Sequence, residues 1–268
     1  MSTEHREFLR RLKRRKRLIV LARILLLLAL FGVWEAAAWL GLSDPFIVSS
    51  PSRVVKTLAG LVSRGELIPH IITTFRETVA GFISGTALGV AIAVLLWFCP
   101  FMERVLDPYL VVLNALPKIA LGPVLIVWVG AGAEAIIVMA LLVSTVVTVM
   151  TVLAGFLEQD RELLALMRTL GASRPQTFIK AVLPGSVPAI MSALKISVGM
   201  SWVGVIVGEY LVSKRGLGYL IVYGGQVFRL DLVMASIVVL SVLAALMYYA
   251  VAAFEKRIDG RFGRRKEG

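Results

Sequence analysis

"TLGASRPQTFIKAVLPGSVPAI", residues 169–190, interrupts the apolar blocks on either side of it with three prolines, two glycines and the charges Arg174 and Lys180. The chain around it is 58% hydrophobic, with mean hydropathy +0.85. Outward from this stretch the apolar residues gather in long blocks rather than in amphipathic stripes. At ~1.5 Å per helical residue, about 20 such residues cross a hydrocarbon core of ~30 Å. Blocks of that length fall at 18–40, 78–98, 108–129, 135–156, 189–212 and 232–254. The sequence therefore predicts an all-α membrane protein with six transmembrane helices. A transmembrane domain over 18–254, with a long internal loop at 158–188, lies between basic tails at 1–17 and 255–268.

A net charge of +12 on 268 residues can signal nucleic acid, but no basic groove with interleaved aromatics is present. The basic residues crowd the ends instead: Arg6, Arg10, Arg11, Lys13, Arg14, Arg15, Lys16 and Arg17, then Lys256, Arg257, Arg261, Arg264, Arg265 and Lys266. Six spans put both ends on one side, and the positive-inside bias makes that side the cytoplasm. The loops agree: Arg104, Arg161, Arg168, Arg174 and Lys180 add to the inside, against Arg53, Lys56, Arg64, Arg76, Lys214, Arg215 and Arg229 outside. Residues 158–188 then form the longest cytoplasmic loop. Ala36, Ala37 and Ala38 could suit a signal-peptide cleavage site. The apolar run 18–34 is long for one, however, and its removal would leave an odd number of spans, so the first span is expected to stay uncleaved. Cys99 stands alone, and His5 and His70 are the only histidines, so neither an internal disulfide nor a His/Cys metal site is expected.

After the first span, "SDPFIVSSPSRVVKTLAGLVSRGELIPHI" predicts a turn at Asp44-Pro45. An amphipathic helix on the outer membrane surface follows, with Val54, Val55, Leu58, Leu61 and Val62 on one face. Gly81, Gly85 and Gly89, four apart, offer a smooth strip for a neighbouring helix. Asn114, Pro117, Lys118, Gly122 and Pro123 interrupt the third span. Two readings stay open there: a broken helix lining a pathway, or a kinked packing helix whose Lys118 snorkels or pairs with a carboxylate. Arg23, Glu35, Glu134, Lys195 and Glu209 are the other charges in or near spans. Asn114, Pro117, Lys118 and Glu209 are the candidate path residues. Gly216, Gly218, Gly224 and Gly225 suit a re-entrant turn or surface helix before the last span.

Within the loop, "DRELLALMRTL" has strong helix formers, acidic residues first and Arg168 near its end. Gly171 falls where a left-handed residue closes a helix, and Ser173-Arg174-Pro175-Gln176 matches a capping box that starts another. The second helix should run to about Val182 with Phe178, Ile179 and Val182 on one side, Pro184 ending it and Pro188 leading into the next span. Such a rigid elbow with exposed apolar residues suits docking of another protein.

"LGASRPQTFIKAVLPGSVPAI" resembles the coupling loop of bacterial ATP-binding-cassette (ABC) importer permeases, whose motif is Glu-Ala-Ala, three residues, Gly, nine residues, Ile, one residue, Leu-Pro. Gly171, Leu183 and Pro184 match, while Ala165, Leu166, Met167 and Ala181 replace Glu, Ala, Ala and Ile. "LNALPKIALGPVLIVWVGAG" and "GEYLVSKRGLGYLI" resemble the subgroup that imports nitrate, sulfonates and taurine. The resemblance implies a type I importer permease in the bacterial inner membrane. It also implies a homodimer served by a cytoplasmic ATP-binding subunit and an extracytoplasmic solute-binding protein. Its ATPase-coupling loop would comprise Gly171, Ala172, Ser173, Arg174, Pro175, Gln176, Phe178, Leu183 and Pro184. ATP and Mg would bind the partner ATPase and no cofactor this subunit, which agrees with the absence of any Gly-Lys dipeptide and hence of a Walker A phosphate cradle. The rival readings are a secondary transporter driven by an ion gradient through Lys118, Glu134 and Glu209, and an intramembrane enzyme. No paired acids or serine-base arrangement supports the latter.

Overall fold

The structure, a computed structural model, describes residues 3–41 and 49–263. The expected turn at Asp44-Pro45 and many of the tail side chains lie outside the described residues. The first helix, α1 (Thr3–Trp39), buries none of its apolar stretch Arg17–Trp39. α2 (Pro51–Ser63) is the amphipathic helix expected from sequence; Ser50 caps it by accepting from the Arg53 amide, and Pro51 occupies its first turn. Val54 and Leu61 are buried while Val55 and Val62 face outward.

α3 (Leu67–Phe98) begins well before the predicted 78–98, because His70, Arg76 and Glu77 dilute the apolar signal of its first turns without breaking the helix. The predicted third span, 108–129, is corrected more sharply. It is broken into α4 (Pro100–Ala115), a 3₁₀ turn (Lys118–Leu121) and α5 (Gly122–Val129), with an 88° bend. The residue before a proline is driven out of the helical region, and Leu116, preceding Pro117, sits at φ −59, ψ 137. Among the described residues five helices are long and apolar enough to cross a membrane, six if the bent pair is one span.

α6 (Ala133–Leu157) lies at the centre, packed on α3 on one side and α10 (Val187–Val212) on the other. Lipid tails are as apolar as leucine, so helices in a membrane associate through close contact, which small residues permit. The strip expected on α3 makes that contact: Cβ atoms added at Gly81, Gly85 and Gly89 would run into Ala140, Ser144 and Thr148 of α6. From α10, Gly204 abuts the Ala140 backbone, and a Cβ on Gly208 would stand 2.9 Å from the Cα of Ile136. Polar clasps reinforce the seams: Thr145 Oγ1 donates to the Gly85 carbonyl (3.3 Å), and Thr148 and Ser197 share a buried hydroxyl pair (2.6 Å). α11 (Leu217–Gln226) and α12 (Leu230–Gly263) close one end, where Leu217, Leu220 and Leu232 form an apolar cluster with Leu61 and Leu67.

Because Gly204 faces backbone rather than a movable side chain, Gly204→Ala should cost about 1–3 kcal/mol by overpacking. Gly199→Ala on the same helix, where nothing lies within 4 Å, should change stability by less than about 0.5 kcal/mol. Thermal unfolding of both variants in detergent checks the pair.

Candidate functional site

The loop between α6 and α10 folds as the sequence anticipates at its start. The Asp160 carboxylate accepts from the Glu162 amide (2.8 Å) at the N-terminus of α7 (Arg161–Thr169). Gly171 ends this helix at φ +76, with its amide bonded to the Arg168 carbonyl and that of Ala172 to Met167, the Schellman arrangement. Only a residue without a Cβ takes this turn without strain. The Ser173 amide then donates to Gln176 Oε1 (2.8 Å) while the Gln176 amide reaches Ser173 Oγ (3.5 Å), closing the capping box of α8 (Arg174–Thr177).

Beyond Thr177 the structure departs from expectation. Phe178–Val182 form a π turn, closed by the Leu183 amide on the Phe178 carbonyl, and α9 (Leu183–Gly185) continues it. Pro184 does not end the helix: the widened turn makes room for its ring, and the path breaks only at Ser186. Sequence reading also put Phe178, Ile179 and Val182 together on an exposed side. Phe178 and Val182 are instead buried, because the π turn rolls them onto the spans, and of the three only Ile179 is exposed.

Phe178 is the anchor. Its ring lies 5.0 Å from Trp97 and 5.3 Å from both Phe98 and Phe156, centroid to centroid, tying the elbow to the ends of α3 and α6. Arg174 Nη1 donates to the Phe98 carbonyl (3.1 Å), supplying a partner at the C-terminus of α3, where helix carbonyls lack one. At the other end of the elbow, Ser186 Oγ donates to the Gly155 carbonyl (2.9 Å), and Gln159 Nε2 bonds both Gly155 O and Ser186 Oγ. Gln159 and Ser186 escaped sequence reading because their pairing crosses the whole loop. Leu163 and Leu166 of α7, its C-cap residue Leu170, and Ile179 are exposed apolar side chains of this loop. Ser173, Pro175, Gln176, Leu183 and Pro184 are exposed, and Ala172 is half-buried.

The four candidate path residues do not form one cluster of contacts. Asn114 and Pro117 are exposed at the bend between α4 and α5, and Lys118 Nζ donates back to the Asn114 carbonyl (2.9 Å). Glu209 is buried in the last turn of α10, where Oε2 accepts from the amides of Gly218 (2.5 Å) and Tyr219 (3.4 Å) at the start of α11. Beside it stands Glu77 of α3, which sequence reading missed because it lay just ahead of the predicted span. Among the described residues no group of three or more His, Cys, Asp or Glu could hold a metal ion.

Residues 85–260 match the family described as binding-protein-dependent transport system inner membrane component. Over 252 residues the chain is 28% identical to a protein of Bacillus subtilis (strain 168) named as an aliphatic sulfonates transport permease, SsuC, covering 94% of this chain and 91% of that one. Over 237 residues it is 26% identical to the taurine transport system permease protein TauC of Escherichia coli (strain K12), covering 87% and 86%. Among solved structures, an inward-facing conformation of the MetNI methionine ABC transporter superposes with TM-score 0.64 at 21% identity, covering 72% of this chain and 95% of that one.

The elbow's dependence on one ring is open to test. Phe178→Ala should cost about 3–5 kcal/mol of local packing and open the backbone after the neighbouring Lys180 to trypsin. Ile179→Ala, on the outer face, should leave the digestion rate unchanged; equal rates in both variants would place the anchor elsewhere.

Proposed function

This chain belongs to the binding-protein-dependent transport system inner membrane components, the permeases of ABC importers, and on that premise we propose that it forms the solute path of an ATP-driven importer and couples it to a separate ATPase through residues 158–188. The protein is a multi-pass component of the inner membrane. The observation that carries the coupling proposal is the elbow: it is stiffened by two helix caps and fastened to α3 through Phe178 and Arg174 and to α6 through Phe178, Ser186 and Gln159. A force applied to its outer face therefore reaches the spans without being absorbed by a slack loop. Leu163, Leu166, Leu170 and Ile179 would meet the ATPase, with Gly171, Ser173 and Gln176 setting their angle. ATP and Mg would act in that partner.

The path itself is assigned to the face carrying the bend between α4 and α5. α4 buries no residue, and the exposed Asn114, Pro117 and partly exposed Lys118 suit a lining shared with a second copy of the chain. The cargo class is a small nitrate-, sulfonate- or taurine-like solute; the names of the similar permeases support the sulfonate and taurine part of that class, and the charge of Lys118 suits the anionic group. An extracytoplasmic solute-binding protein would deliver it. Both termini are placed in the cytoplasm, with the elbow.

Co-purification with the cognate ATP-binding subunit tests the coupling. The paired change Leu166→Glu and Ile179→Glu should weaken the complex roughly thirtyfold, about 2 kcal/mol, without lowering the thermal stability of the permease. An unchanged complex would overturn this docking face. Lys118→Ala should reduce ATP-dependent uptake while leaving the ATPase complex intact.

A further inference from the structure

At the end of the bundle opposite the elbow, just beyond the close contact of Gly81 with Ala140, α3 and α6 frame a cavity of about 400 Å³. Thr73, Arg76 and Glu77 of α3 are its polar lining, and Ile72, Ala80 and Ile137 contribute apolar wall. The two charged residues are opposites in their surroundings as well as in their chemistry. Arg76 is exposed, and among the described residues no acceptor pairs with its guanidinium, so its five N–H donors are uncommitted. Glu77 is only 7% exposed, and its Oε2 is buried without a hydrogen-bond partner. Buried acceptors are almost always satisfied, and a bound N–H group would satisfy this one. Thr73 makes no further demand, because its Oγ1 already donates to the Pro69 carbonyl (3.0 Å).

Successive residues of a helix point about 100° apart, so Arg76 and Glu77 meet the contents of the cavity from different directions and suit different ends of one molecule. We infer that the cavity is a subsite for a small solute with an oxoanion group at one end and an amino group at the other. Arg76 holds the oxoanion, since a guanidinium offers paired donors to two oxygens of a sulfonate or carboxylate. The amino group donates to Glu77, and a short aliphatic spacer lies against Ile72, Ala80 and Ile137. A mostly apolar hollow with a few placed polar groups is the usual form of a small-molecule site. Nitrate, or a sulfonate without an amine, uses only the Arg76 half of it. No residue of the bend between α4 and α5 lines the cavity, so this is a receiving subsite separate from that lining. Its part in handling cargo rests on the importer reading above; its ligand chemistry does not.

Titration calorimetry on the purified full chain in detergent tests the subsite with two probes: taurine, which has both groups, and ethanesulfonate, which lacks the amine. The wild type should bind taurine about tenfold more tightly than ethanesulfonate. Arg76→Ala should weaken both probes about tenfold. Glu77→Met removes the acceptor at similar volume, and should erase the advantage of taurine while leaving the affinity for ethanesulfonate unchanged. Equal affinities in the wild type would overturn the proposal, as would an Arg76→Ala chain that binds taurine undiminished. Both of these readings stand if Glu77→Met does not fold, because Arg76 is exposed and its truncation removes no packing from the interior. ATP-dependent uptake of taurine by the assembled importer is measured separately. Uptake without binding to the purified chain overturns the subsite and leaves the importer reading intact, whereas the expected binding pattern without uptake upholds the subsite and counts against that reading.

Discussion

The backbone of α6 at Ala140 is the point on which the rest of the molecule depends. Gly81 approaches it from α3 and Gly204 from α10, and Ala140 is fully buried between them. Hydrophobic burial drives no association between helices already in lipid, so the three-helix stack relies on dispersion contacts that decay within a fraction of an ångström. Glycine at both crossings brings whole backbones into that range. With α3, α6 and α10 fixed relative to one another, both ends of the stack present positions that would otherwise be unrelated in space: Phe98, Phe156 and Gly155 beneath the elbow at one end, Glu77 and Glu209 at the other.

How legible this was depended on the range of each interaction. Block length alone located the spans, because the thickness of the hydrocarbon core is a constraint every crossing helix meets. The caps at Gly171 and at Ser173 with Gln176 were legible too, since their hydrogen bonds close within a few residues. The inward roll of Phe178 was not. A regular α-helical projection puts Phe178, Ile179 and Val182 together, and the π turn that separates them arises from packing against Trp97 and Phe156, distant in sequence. Pro117 announced a break but not its size, because a proline fixes only the residues beside it, and the 88° between α4 and α5 also needs α5 to pack against α6 and α10. Glu77 was hidden by a span boundary drawn at the first polar residues, where the helix in fact continues to Leu67.

The two ends of the stack handle polarity differently. At the elbow almost every named polar group is exposed or bonded to a backbone carbonyl, so the segment is stiff without enclosing charge. At the opposite end the acids are enclosed, and the glycines of the segment 216–218 are packed directly against Glu209. The elbow can therefore carry load as one body with the spans it is fastened to, whereas at the other end any shift of α11 would strand Glu209.

α1 stands apart from this arrangement. Along its apolar stretch none of its residues is buried, and its recorded attachment is at one end, where both Glu35 oxygens accept from Ser52, one from the amide (2.9 Å) and one from the hydroxyl (2.8 Å). Away from that end, the exposed positions of such a helix answer to membrane thickness and greasiness rather than to packing within their own chain. Leucine, isoleucine, valine and phenylalanine are therefore interchangeable there as far as packing within the chain is concerned, whereas a larger side chain at Ala140 of α6 would strike Gly81 and Gly204.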